Sequence, residues 1–132
     1  MGTVGYLLDT HTLLWALCDT QKLSDVALHI IEDVGSPLFV SSVSAYEIMN
    51  KHRIGKLPGY SHVAENYLNV LNTFDANELP VNTKHAHYAG AFDWDHRDPF
   101  DRLLAAQAFI ENMTLISNDS VFSSLPFLSL LW

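Results

Sequence analysis

Cysteine occurs once in this chain, at Cys18, so no internal disulfide is available, and no metal-ligand spacing surrounds it. A small core residue is the expected role for that thiol. Long apolar runs are also missing, and none approaches the roughly 18 to 20 residues that span a bilayer. The N-terminus carries neither the basic region nor the cleavage site of a secretory signal. Met1-Gly2 opens like a myristoylation signal, but Tyr6 stands where that signal wants Ser or Thr. A cytoplasmic protein with no membrane partner is therefore expected. Positive charge is scarce: seven Lys and Arg face fifteen Asp and Glu, for a net charge of −8. That balance argues against a broad basic surface tracking a nucleic-acid backbone. It leaves open a site assembled from carboxylates, whose charge a bound divalent ion offsets. The few bases are unevenly spread. Lys51, Arg53 and Lys56 fall within six residues, and Arg97 and Arg102 flank a stretch rich in Asp. No internal repeat, linker or low-complexity segment interrupts the chain.

What is present is enough for a core. With 132 residues, 48% of them hydrophobic, the chain suits one domain, 1–132, burying roughly two-thirds of its unfolded surface. Val4-Gly5-Tyr6-Leu7-Leu8 is too short for a helix and reads as a buried strand ending at Asp9, with Thr10 capping a helix through about Leu17. Residues 24–34 form an amphipathic helix capped by Ser24 and stopped by Gly35. Leu38-Phe39-Val40 is a second strand, followed by a helix from Val43 to about Ile54 closed by Gly55. Residues 61–73 form one helix with apolar positions 63, 67, 70 and 71 on one face. Leu79-Pro80-Val81 is a weak strand whose proline places it near an edge. A helix over residues 83–91, a strand Thr114 to Asn118 and an apolar strand Phe127 to Trp132 complete the pattern. Such alternation predicts an α/β fold, a three-layer sandwich with a mostly parallel sheet of about five strands flanked by helices.

The stretch His96-Arg97-Asp98-Pro99-Phe100-Asp101-Arg102-Leu103-Leu104-Ala105-Ala106-Gln107-Ala108 organises the candidate chemistry. Pro99 suits the first helical position with Asp98 as N-cap, and a run apolar on nearly every face follows, so a buried helix begins here. Asp98-x-x-Asp101 is a near capping box, and Asp101 either caps or faces a cation. Glu47 presents the same choice, because Ser44-Ala45-Tyr46-Glu47 has the capping-box pattern and Lys51 follows at i+4, as ion-pair partner or phosphate contact. Asp9 ends the first strand and Asp119 ends the fourth, at the sheet edge where open parallel sheets place their ligands. Four carboxylates meeting there, Asp9, Glu47, Asp101 and Asp119, repel one another. They call for a hard divalent ion, Mg²⁺ or Mn²⁺. His85-x-His87 spaces two histidines onto different helix faces without further ligands, which argues against zinc.

These residues resemble the PIN-domain nucleases, and more narrowly the VapC-like toxins of bacterial toxin-antitoxin pairs, along essentially the whole chain. The resemblance is carried by Leu7-Leu8-Asp9-Thr10-His11 with Leu14-Trp15, by Ser41-Ser42-Val43-Ser44 through Glu47 to Gly55-Lys56-Leu57, by His96 to Ala108, and by Ser117-Asn118-Asp119. It implies an acidic quartet at Asp9, Glu47, Asp101 and Asp119, with Asp98 and Ser117 in support and Lys51, Arg53, Lys56 and Arg102 as RNA contacts. It further implies a Mg²⁺- or Mn²⁺-dependent endoribonuclease acting on single-stranded or loop RNA, a cognate small antitoxin protein and a homodimer. Two other readings stand beside it. A haloacid-dehalogenase-type phosphatase also begins from a strand-end Asp but wants a second Asp two residues on, where this chain has His11. A catalytically idle PIN-like binding module would keep the pocket without the reaction.

Overall fold

The computed structural model describes residues 3–132, so the reading of Met1-Gly2 lies outside the described residues. The strands β1 (Tyr6–Leu8), β2 (Leu38–Ser41), β3 (Asn77–Leu79), β4 (Thr114–Ile116) and β5 (Leu130–Leu131) form one sheet in the order β3-β2-β1-β4-β5, every pair parallel. Strands this short stay in register because each side chain belongs to one of two opposite faces. Leu8, Val40 and Ile116 enter one core cluster, whereas Leu7 and Leu115 enter the other. The sheet is thus covered on both sides, which accounts for the unbroken apolar runs of its central strands.

The first core holds α1 (Thr10–Cys18), α2 (Asp25–Glu32), α3 (Ser42–Arg53) and α4 (Ser61–Glu65). The second is built on α7 (Pro99–Ile110), which presents Leu104, Ala105 and Ala108, with α6 (Thr83–Ala91) packed beside it. Alanines at 105, 106 and 108 are fully buried and let α7 lie close to the sheet. Close approach also explains Gly5, where an added Cβ would sit 2.6 Å from the Phe39 ring and 3.0 Å from the Pro37 carbonyl oxygen. β1 pairs with both β2 and β4, so connections run outward from it in opposite directions. The crevice at that switch point opens beyond the C-terminal ends of β1 and β4.

Several local expectations are corrected. Asp9, not Thr10, caps α1 through a bond from Thr12 N. Ser41 caps α3 by accepting from Val43 N, so the Ser44-to-Glu47 box does not form and α3 starts at Ser42. The helix expected over 61–73 is broken between α4 and α5 (Tyr67–Asn72). At the joint Asn66 takes φ −120° and ψ 28°, and its side chain bonds the His62 carbonyl instead of extending the helix. α2 ends at Glu32, before Gly35, because Asp33 turns the chain and accepts from Gly35 N and Ser36 Oγ. β3 is the edge strand expected, but it lies over residues 77–79 and stops before Pro80, which has no N–H for the ladder. Only Leu130–Leu131 pair in the last segment. Cys18 is exposed rather than core, since the last turn of α1 runs past the packed interior. Among the described residues, no helix is long and apolar enough to cross a membrane.

Candidate active site

Asp9 leaves β1 with its backbone N–H on the Ile116 carbonyl at 3.1 Å, so its carboxylate is held at the β1–β4 crevice. Oδ1 accepts from Thr12 N at 2.8 Å, and the buried Ser117 hydroxyl bonds the same carboxylate. Burial pushes the Asp9 carboxyl above the usual carboxylate range, against those hydrogen bonds, which pull it down. Ser117 Oγ also accepts from Asp119 N at 3.1 Å, so a single hydroxyl links the ends of β1 and β4. Asp119 is exposed and caps the short 3₁₀ turn Ser120–Ser124 through Val121 N.

Freed from any capping box, Glu47 is buried to 5% exposure and points across α3 toward α1. Its Oε1 accepts from Thr10 Oγ1 at 2.6 Å and its Oε2 from Lys51 Nζ at 2.6 Å. Thr10 Oγ1 is also 3.0 Å from Ser44 Oγ. Lys51 therefore makes the i+4 ion pair expected of it, at the rim of the pocket. Asp98 caps α7 by accepting from Phe100 N, but Asp101 does not complete the box. Instead Asp101 Oδ2 lies 2.7 Å from His96 Nε2. Burial, with the charges of Asp98 and Glu47, pushes the Asp101 carboxyl up to about 6 despite the His96 bond.

One cavity of about 420 Å³ brings these groups together, lined by Asp9, Glu47, Asp98, Asp101 and Asp119 with Lys51. The tightest grouping of metal-capable atoms among the described residues is His96, Asp98 and Asp101, within 4.8 Å of one another. The other three carboxylates surround the cavity without joining that group.

The remaining candidates separate. Arg53 and Lys56 are exposed outside the cavity lining, Arg53 bonded to Asn50. Arg102 turns away from it. Its guanidinium donates to the carbonyls of Ala89, Phe92, Trp94 and His96 and lies 4.4 Å from the Phe92 ring centroid, so the side chain expected to contact RNA is engaged within the chain itself. Those bonds hold the loop that carries His96. His85 is buried and spent on Asn82 N and Glu111, and His87 is exposed. Sequence reasoning missed Thr10, Ser44 and His96 as parts of the site. Thr10 and Ser44 had a signal, since each sits one residue after or three before a candidate carboxylate. His96 had none, because it reaches Asp101 around a proline turn that no periodicity describes.

The sequence profile of the PIN domain matches residues 6–128. No curated protein matches the chain in sequence. Among solved structures, the chain is similar to one in the DNA-bound VapBC of Salmonella typhimurium, at 18% identity and a TM-score of 0.68, covering 96% of each chain. It is likewise similar to a chain in VapBC2 of Rickettsia felis bound to a promoter DNA fragment, at 20% identity and 0.66, and in FitAcB of Neisseria gonorrhoeae, at 15% and 0.65, each again covering 96% of both chains. At these identities the likeness speaks to the fold, which agrees with the parallel sheet. The profile spans nearly the whole chain, and this protein therefore belongs to the PIN domain family.

Proposed function

We propose that this chain is a divalent-metal-dependent endoribonuclease and the toxin of a toxin-antitoxin pair. Membership of the PIN family supports a nuclease, and the single observation that carries the reading is the cavity lined by carboxylates from β1, α3, α7 and the end of β4. Structural capping is provided elsewhere for two of them, by Ser41 for α3 and by Asp98 for α7.

The residues fit Mg²⁺ or Mn²⁺. The donors are hard oxygens; burial raises Asp9, and burial with the like charge of Asp98 and Glu47 raises Asp101, so the pocket is short of positive charge. Asp9, Asp101 and Asp119 would hold the ion, with Glu47 orienting it or its water. A bound ion would supply an activated water and neutralise charge on the phosphate. Thr10 and Ser44 keep Glu47 aligned, Ser117 spaces Asp9 from Asp119, and His96 fixes Asp101. Lys51 balances Glu47 and stands where a phosphate oxygen would arrive. No nucleophilic side chain is needed.

The partners that follow are RNA, a small cognate antitoxin and a second copy of the chain, in a cytoplasmic setting. Tyr46 and Met49 on α3 and Val26 on α2 are exposed apolar groups that an antitoxin segment could cover. An antitoxin Arg could pair with the cavity carboxylates, since its planar fork matches them and keeps its proton. Incubation of purified protein with a mixed RNA pool tests the reading. Cleavage is expected with Mn²⁺ and none with excess chelator, whereas metal binding without cleavage would favour an idle binding module.

A further inference from the structure

Beside the acidic cavity lies a second cleft of about 550 Å³, lined by Asp93, Trp94, Asp95, His96, Val121 and Ser124. Two of its walls are bonded directly to the acidic site: His96 Nε2 meets Asp101 Oδ2 at 2.7 Å, and Val121 N donates to Asp119 Oδ1 at 3.1 Å. Whatever occupies the cleft is therefore next to a phosphate held at the carboxylates. Trp94 is a rigid wall. Its indole N–H donates to Ser124 Oγ at 3.0 Å, and its ring packs 5.8 Å from Phe92, 5.9 Å from Phe122 and 4.9 Å from His96, centroid to centroid.

The charge of the cleft selects its occupant. No Lys or Arg lines it, and Asp93 and Asp95 are exposed at its rim, so a phosphate would be repelled. A neutral flat ring with hydrogen-bond donors on its edge suits both the aromatic wall and the carboxylates. A protein with few cations must also gain affinity for single-stranded nucleic acid by stacking more than by phosphate neutralisation. We propose that this cleft is a nucleobase subsite for the nucleotide adjoining the scissile phosphate, and that it takes guanine in preference to uracil. Guanine offers N1–H and N2–H side by side to one carboxylate. Uracil offers a single N–H between two carbonyls, which a carboxylate repels. This proposal rests on the ribonuclease reading and deepens it.

The test compares wild type, Trp94→Leu, Trp94→Phe and the double variant Asp93→Asn/Asp95→Asn on short U-rich RNAs with and without a single G. Cleavage in Mn²⁺ is read as kcat and KM. Binding is read separately by fluorescence anisotropy, with each change also placed in an Asp9→Asn background. Trp94→Leu is expected to raise KM about tenfold, the scale of losing one base stack, with kcat changed less than about twofold. Trp94→Phe should recover most of that loss, and the double Asn variant should erase the preference for G. If wild type cleaves and all variants keep its KM and its G-to-U ratio, the subsite is wrong and the nuclease reading stands. If nothing cleaves but binding stays Trp94-dependent and G-preferring, the nuclease reading fails and the subsite survives. Absent or variant-independent binding overturns the subsite. Should Trp94→Leu fail to fold in a thermal melt, the double variant decides, because both aspartates are exposed.

Discussion

Replacing Asp101 by Asn isolates the cost of crowding carboxylates without their ion. The Asp101 side chain is 19% exposed, and its carboxyl is raised from 3.8 to about 6 by burial first and by Asp98 and Glu47 next. Between those values the folded state holds a proton that the unfolded chain has released. The associated stability is therefore fully present below pH 3.8 and is lost as pH rises through 6. At 1.36 kcal/mol per pH unit the loss is about 3 kcal/mol at pH 7.5. Asn cannot ionise and can still accept from His96, so metal-free Asp101→Asn should be more stable than wild type at pH 7.5 by up to that amount. For a chain of this length the difference is a Tm higher by about 10 °C. Near pH 3.5 the two proteins should melt together. Added Mn²⁺ closes most of that gap, because ion at a hundredfold excess over Kd stabilises wild type by about 2.7 kcal/mol and the variant by much less. Thermal melts at both pH values, with chelator and with Mn²⁺, read all four quantities. If Asp101→Asn instead loses roughly 0.5 to 2 kcal/mol at every pH with an unchanged response to Mn²⁺, Asp101 is a helix cap and the argument from like charge is refuted.

Other outcomes follow from the same contacts. Asp9→Asn should abolish RNA cleavage while keeping α1 capped, whereas Asp9→Ala should also lower stability by about 0.5 to 2 kcal/mol in urea denaturation. Equal stability of the two variants would dissociate Asp9 from the cap. Thr10→Val leaves a buried Glu47 oxygen without its donor, so a loss of about 1 to 3 kcal/mol and weaker Mn²⁺ binding by calorimetry are expected. Unchanged metal affinity would make Thr10 a packing residue only. Arg102→Leu strips four backbone carbonyls of their donor and should cost about 3 kcal/mol. A cost below about 0.5 kcal/mol would mark it as an ordinary surface base. Expression of the chain alone should arrest growth, and co-expression of the neighbouring small protein should restore it, as followed by culture density. Arrest by the Asp9→Asn variant would disconnect toxicity from the cavity.

The sheet was legible in the sequence because buried parallel strands are short apolar runs with abrupt polar ends, as at Leu8-Asp9 and Val40-Ser41. The same abrupt ends announced Asp9 and Asp119 as crevice residues. Glu47 and Asp101 were ambiguous, since a carboxylate three residues after Ser or Asp suits a capping box and a site equally well by spacing. Tertiary structure decided between them: Ser41 capped α3 one turn early, and His96 took the Asp101 oxygen that a box would have used. The backbone bonds of Arg102 were not legible in the sequence, because its four acceptors lie in the last turn of α6 and in the loop leading into α7, at bends no periodicity records. The second cleft was invisible for the same reason, its walls coming from residues 93–96 and from the turn after β4. Local pattern specifies which face of an element is apolar and where it ends. Which polar groups from separate elements meet is set by packing, and hydrogen bonds across such gaps form only once the core has brought them together.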